Sequence, residues 1–399
     1  MLKKVDETKV LRQKVFALTK EMIKNHGPRL AGTQASIDCS NAIYDEMAQF
    51  ADHVEKQPFK VHKGAFLGWI RLLVIGYIAS LTLLWLNLPM YAYFISGASI
   101  LLLILQFILY LPIIDWFYLR KPAQNIIGTI EPKNTPKQTV IISGHHDSAR
   151  IFNFFIHQPK LYNLRVTGSI VFVFFMLLFS IFISVVDNAD VIHLFMKIIL
   201  SIGVILIAQM WFFASKQGTP GAGDNLMATN IAVVLGEYFK AHPLKHTQLK
   251  IISFDAEEEG LRGARYYAKK AKQSFKERPT YMLNADCLYD EKEFFFLTSD
   301  INGSVKLDKT LALDLQKQAK TLNIKTKVKP IAMLTGGTDA AELAKKGVKA
   351  TTLIGMEWSN DNRSSVYHTP NDLPEAVSKK AVEAAITIFK HYIETLDTK

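Results

Sequence analysis

Residues 251–264 read Ile251-Ile252-Ser253-Phe254-Asp255-Ala256-Glu257-Glu258-Glu259-Gly260-Leu261-Arg262-Gly263-Ala264. An apolar, β-branched run breaks into carboxylates, and a glycine and a helical pattern follow, so the stretch reads as strand, turn and helix. Three consecutive glutamates at the end of a buried strand repel one another and resist desolvation unless a cation offsets them. Other clusters carry matching donors: Gly144-His145-His146-Asp147-Ser148, Gly223-Asp224-Asn225, Asn284-Ala285-Asp286 and Tyr367-His368-Thr369-Pro370-Asn371-Asp372. Together they supply the oxygen and imidazole ligands of a two-metal hydrolytic site.

Outward from this stretch, strands and helices alternate. A helix ends at Asn25-His26-Gly27-Pro28, and the turn Gly27-Pro28-Arg29-Leu30-Ala31-Gly32-Thr33 leads into a second, at 35–50. Strands follow at 54–61, 125–130 and 139–143, then a helix at 228–240, the strand at 249–254 and a helix at 261–273. Beyond them come strands at 281–285 and 293–298, a helix at 304–323, a strand at 325–330, a helix at 339–346, a strand at 350–354 and a helix from 373 to 396. This order predicts an α/β fold, a mainly parallel (mixed) sheet with helices on both faces, and ligand sites at the carboxyl ends of its strands.

The composition changes within two intervals. Residues 72–88 and 91–114 contain no Asp, Glu, Lys, Arg or His and are joined by Asn87-Leu88-Pro89-Met90; residues 166–186 and 198–213 repeat the arrangement. Each run approaches or reaches the ~20 residues that cross a bilayer as a helix. Interfacial aromatics (Trp85, Tyr91, Tyr93, Trp116, Phe117, Tyr118) stand near the ends of the first pair. The expectation is two transmembrane helical hairpins, residues 66–118 and 164–214, that interrupt one catalytic domain made of residues 1–65, 119–163 and 215–399. Lys60, Lys63, Arg71, Arg120, Lys121, Lys160, Arg165 and Lys216 flank the soluble side, whereas the short turns carry only Lys197 beside Asp187 and Asp190. By the positive-inside rule this multi-pass membrane protein, with four transmembrane helices, keeps its catalytic domain and both termini in the cytoplasm. The helix interiors lack the ionisable residues of a transport path, so they read as an anchor.

The formal net charge is +11. The lysines are dispersed over helix faces without a basic block, which points to the lipid bilayer rather than to nucleic acid. Cys39 and Cys287 form no CxxC pair, so neither a disulfide framework nor a thiolate metal site is indicated. The start, Met1-Leu2-Lys3-Lys4-Val5-Asp6-Glu7, is charged and is not a signal peptide.

His145 and Asp147 stand two apart at a strand end, so one can bind a metal while the other orients its ring. His146 points the opposite way. Asp224 follows a glycine-rich loop and precedes a helix, where a carboxylate can bridge two cations. In order and context these motifs resemble the two-zinc exopeptidases of metallopeptidase family 28, which includes aminopeptidases and glutamate carboxypeptidases. The resemblance runs from Gly27-Pro28-Arg29-Leu30-Ala31-Gly32-Thr33 to the C-terminus and omits only the two hairpins. It implies that His145 and Asp286 hold one metal, Glu258 and His368 the other, and Asp224 both. It also implies that Glu257 is the general base, that Asp147 partners His145, and that the ions are zinc. Gly337-Thr338-Asp339 resembles the family's Ser-Asp-His turn, with Ala340 in place of the histidine.

The expectation is therefore a membrane-anchored, metal-dependent exopeptidase that cleaves N-terminal peptide bonds. A carboxypeptidase or other amide hydrolase on the same scaffold is the alternative within enzymes. A catalytically inactive membrane scaffold or receptor is the alternative outside them. Oligomeric state leaves no mark in the sequence.

Overall fold

The structure, a computed structural model, describes residues 2–359 and 365–398. The chain divides into two compact units. One comprises Met1–Lys63, Arg120–Ile151 and Gln217–Lys399, and the other Gly64–Leu119 and Phe152–Lys216.

In the first unit, eight strands form one sheet: β1 (His53–His62), β2 (Arg120–Ile130), β3 (Gln138–His145), β4 (Thr247–Phe254), β5 (Thr280–Leu288), β6 (Phe295–Leu297), β7 (Lys327–Lys329) and β8 (Lys349–Gly355). Their order is β1-β2-β4-β3-β5-β8-β6-β7. The pairs β4–β3, β3–β5, β5–β8 and β6–β7 are parallel, and β1–β2, β2–β4 and β8–β6 antiparallel. The expected mixed, mainly parallel sheet is present.

Alternation along β4 assigns the faces. Ile251 lies so close under Gly236, on the helix Met227–Ala241, that a Cβ there would stand 2.5 Å from its Cδ1. Phe254, on the opposite face, meets the ring of Tyr267 on the helix Arg262–Lys270 at 5.9 Å. Both faces are therefore covered by helices. Ile141, Ile142, Leu249, Ile251, Ile252, Met282 and Leu283 are buried to within 1% of full exclusion and form the spine of this core.

The register decides where the chemistry can be. His145 pairs with Phe254, and Ser143 with Asn284, so β3, β4 and β5 finish nearly level. The segments leaving them carry Asp147, Glu257 and Asp286 from one edge of the sheet.

Two helices start at least five residues later than the sequence predicts, because capping side chains set their starts. Lys309–Thr321 begins where Asp308 accepts a hydrogen bond from Leu311 N at 2.8 Å. Lys379–Asp397 begins at Ser378, whose hydroxyl accepts from Ala381 N, and Pro374 lies in a separate 3₁₀ turn.

The second unit contains the helices Ala65–Trp85, Pro89–Leu102 with a π-helical continuation Leu103–Ile108, Tyr162–Val185 and Asp190–Gln209. Small residues let them approach. A Cβ on Gly76 would stand 2.2 Å from Ser99 Oγ, and one on Gly203 would stand 2.3 Å from the Phe172 ring. Polar side chains bond across the helices: Tyr77 Oη donates to Leu200 O at 2.7 Å, Ser80 Oγ to Ala92 O at 3.1 Å and Ser169 Oγ to Leu206 O at 3.2 Å. Large apolar side chains such as Phe94, Leu101, Leu178, Phe195, Ile202 and Ile205 face outward, more than half exposed. Among the described residues, four helices are long and apolar enough to cross a membrane.

Candidate metal centre

At the end of β3, His145 is 1% exposed. Its Nδ1 lies 3.0 Å from the carbonyl of Asp147 and 3.4 Å from Asp147 Oδ1. The other ring nitrogen is thereby turned inward, where Nε2 stands 3.2 Å from Asp224 Oδ1 and 3.8 Å from Glu257 Oε2. Across the site, His368 Nε2 stands 3.2 Å from Asp224 Oδ2 and 3.5 Å from Glu258 Oε1. Each oxygen of Asp224 thus faces a different histidine. Asp286, near the end of β5, is 3% exposed, and its Oδ1 has no hydrogen-bond partner among the described residues. Donor atoms of His145, Glu257 and Asp286 lie within 4.8 Å of one another, as do those of His145, Asp224 and Glu258. All seven residues singled out from the sequence meet in one place.

Local folding accounts for the convergence. Asp147 does more than face His145: its Oδ1 accepts from Glu257 N and its Oδ2 from Glu258 N, both at 3.1 Å. One carboxylate therefore fixes a histidine ring and the turn bearing the two glutamates. Gly263 brings the following helix flush against that turn, since a Cβ there would stand 2.1 Å from Asp255 O. Asp255, the first carboxylate of the run, is structural; it accepts from Ser36 Oγ at 2.9 Å and Gln124 N at 3.1 Å. His146 turns away from the centre, with Nδ1 2.8 Å from Ser253 Oγ.

The Asp224 loop is held by residues whose role the sequence reading did not assign. Asp372 accepts from Gly223 N at 2.8 Å through Oδ1 and from Asp224 N at 3.2 Å through Oδ2. Arg29 is fully buried and serves as a staple, its Nε donating to His146 O at 2.8 Å. Its Nη1 donates to Gly27 O at 2.7 Å and Pro220 O at 2.9 Å, and its Nη2 to Gly221 O at 3.1 Å. It binds the end of β3 to the loop that carries Asp224. Both residues stood in quoted motifs, but nothing local marks an arginine whose partners are distant carbonyls.

Like charges crowd here. Burial pushes Glu257 and Glu258 well above the usual carboxylate range, against the opposing pull of His145, and their neighbouring carboxylates push the same way. Burial likewise lifts Asp286 to about 7, with Asp224 adding to it. Burial would lower His145, but Glu257, Asp147 and Asp224 outweigh it and raise the imidazole. Asp224 is held below its ordinary value: burial pushes it up, and the two facing histidines overcome it. A divalent cation relieves this repulsion, and nitrogen and oxygen donors suit zinc. The Asp286 Oδ1, without a hydrogen-bond partner among the described residues, fits that demand. Cys287 also comes within 4.8 Å of Asp224 and Asp286, a thiol the sequence reading did not place here; burial raises its pKa and disfavours the thiolate.

Fold and centre together define an α/β scaffold with a candidate metal centre at the carboxyl edge of its sheet. Residues 210–393 match the model of peptidase family M28. Aminopeptidase YwaD of Bacillus subtilis is 23% identical over 170 residues, 42% of this chain; the match spans 36% of that relative, about a third of its length. A zinc-dependent exopeptidase from Parabacteroides distasonis has the same fold, with a TM-score of 0.58 and 13% identity over 96% of this chain and 97% of that one. So does the glutaminyl cyclase of Porphyromonas gingivalis, with a TM-score of 0.58 and 12% identity over 96% and 98% of the two chains.

Proposed function

We propose that this protein is a membrane-anchored aminopeptidase with two divalent metal ions, zinc in the first instance. His145 and Asp286 would hold one ion, Glu258 and His368 the other, and Asp224 would bridge them. The observation that carries this reading is the placement of the two Asp224 oxygens, each 3.2 Å from Nε2 of a different histidine.

Two such ions, when bound, lower the pKa of a shared water and polarise the scissile carbonyl. The chain's own residues do the rest. Glu257 lies within 3.8 Å of His145 and belongs to one ligand-spaced group, yet the bridging contacts bypass it, which leaves its carboxylate available as general base. It takes a proton from the attacking water and delivers it to the leaving amine. Asp147 holds Glu257 and Glu258 by their backbone N–H groups and keeps the Nε2 of His145 pointing inward.

The four apolar helices are proposed as the anchor, because their outward faces expose large apolar side chains that water would not tolerate over such an area. The lysine and arginine flanks support a hydrolytic unit on the cytoplasmic side.

Hydrolysis of aminoacyl chromogenic amides by membrane fractions tests the proposal. Activity should vanish with chelator, return with zinc and fall at least ~10³-fold in Glu257→Gln. Full activity in Glu257→Gln would remove that residue as the base. Cyclisation of N-terminal glutamine without amide hydrolysis would move the assignment to the chemistry that the glutaminyl cyclase is named for.

A further inference from the structure

The sheet face under the helix Arg262–Lys270 borders two cavities away from the metal centre. Phe254, which packs on Tyr267, and Lys250 stand four apart on β4, so both point to this face. Lys250 pairs with Thr129 on β2 and Ile141 on β3. It lies about 13 Å back along the strand from Phe254, and the centre begins beyond that residue. Here cavities of about 530 Å³ and about 210 Å³ share Lys250, Tyr267 and Ser274 in their walls. No residue of the candidate metal centre lines either one.

The smaller cavity is walled by donors that lack acceptors. Tyr267 is 3% exposed, and its Oη is buried without a hydrogen-bond partner among the described residues. Arg278 lines the same cavity, and its Nη1 is likewise buried and unpartnered among the described residues. The carboxylate nearest to it, Glu277, is 58% exposed and stands 3.9 Å from Nη2, beyond hydrogen-bond reach. Lys250 is the third donor. Burial and the neighbouring Arg278 hold its ammonium below its ordinary pKa, and Glu55, Glu131 and Glu277 offset them only in part. A water molecule could satisfy the hydroxyl or the guanidinium, but it would leave two cations repelling across a partly desolvated space. An anion relieves both costs at once.

We propose that these cavities bind a small phosphate monoester, its phosphoryl group at Lys250, Tyr267 and Arg278 and its organic body against Tyr266. The three donors come from separate segments, β4, the helix and the residues before β5. That arrangement suits a group with three free oxygens better than a planar carboxylate, which an arginine fork alone would clamp. The larger cavity supplies the place for the body, since Tyr266, Pro58 and Ile127 give it apolar wall. Lys270, 5.8 Å over the Tyr266 ring, adds positive charge at its rim. The inference stands apart from the hydrolytic reading, because it uses none of that centre's residues.

The test is calorimetry on the full-length protein in detergent, with phenyl phosphate as the probe. Chelator is present so that no metal ion takes up the phosphate. Phenyl phosphate should bind with a Kd below ~1 mM, inorganic phosphate at least ~5-fold more weakly for want of the body, and phenol not measurably. Tyr267→Phe removes only the orphaned hydroxyl, so thermal stability should not fall, while Kd should rise ~10-fold. Lys250→Met and Arg278→Met should each raise it at least ~10-fold. Absence of binding up to ~10 mM in the wild type overturns the proposal. So does an unchanged Kd in folded Tyr267→Phe and Arg278→Met, or phenol binding as tightly as its phosphate. Dihexanoyl phosphatidic acid separates a lipid head group from a free ester: tighter binding of the lipid than of phenyl phosphate overturns the assignment to a small ester.

Discussion

Asp147→Asn isolates the residue on which most of the centre's geometry converges. The aspartate is fully buried and accepts two backbone N–H groups, from Glu257 and Glu258, at 3.1 Å each. The asparagine keeps the shape, but one of its two terminal atoms becomes a donor and must face a backbone N–H. One charge-assisted bond, ~1.5–3 kcal/mol, is lost, and an unsatisfied buried N–H costs a further ~1–3 kcal/mol. The turn can relieve this only by moving Glu257 and Glu258, and His145 loses the carboxylate 3.4 Å from its Nδ1. A loss of ~3 kcal/mol expressed at the centre corresponds to ~100-fold, within the range seen when groups behind metal ligands are removed. Zinc affinity, measured by competition with a fluorescent chelator, should fall ~10–100-fold. At saturating zinc, kcat/KM should still fall at least ~10-fold, because Glu257 has moved as well. Values within threefold of wild type on both scales would refute the claim that Asp147 positions the centre.

Two further outcomes follow from the same contacts. Arg29→Ala removes four hydrogen bonds, two of them buried and two part-buried, from a charged donor. The variant should lose at least ~4 kcal/mol in urea unfolding, with zinc affinity falling in parallel; a loss under ~1 kcal/mol would show the staple to be idle. The second outcome concerns pH. Asp286 is raised to about 7 and Asp300 to about 6, chiefly by burial. The folded metal-free protein therefore binds more protons than the unfolded chain between pH ~4 and ~7, so its stability falls as pH rises through that window. His145 acts in the same direction, since its raised value favours the folded state at low pH and that contribution is lost on the alkaline side. With zinc the slope should reverse, because ligands must shed protons to bind. Thermal melts from pH 5 to 8, with and without chelator, read both slopes; a metal-free protein that gains stability across this range contradicts the assignment.

Much of the fold was legible because its signals are local. The Ile251–Phe254 run, the capping and turn residues and the long apolar intervals each state their structure within a few positions, and the order of elements gives the mixed sheet. The residues proposed for the centre were legible for another reason. A carboxylate or histidine just past an apolar strand is dear to desolvate, so His145, Glu257 and Asp286 stand out against their surroundings. The supports were not legible. Arg29, Asp372 and the backbone-holding role of Asp147 depend on partners 117, 149 and 110 residues away, and no local pattern encodes such a contact.

The central claim is that Asp224 joins two metal ions in one centre. Metal content by mass spectrometry on the purified full-length protein, zinc-loaded and then passed through a desalting column, tests it most directly. The account predicts two zinc ions per chain in the wild type and loss of both from Asp224→Ala at matched fold. One ion in the wild type, or two retained in Asp224→Ala, would contradict it.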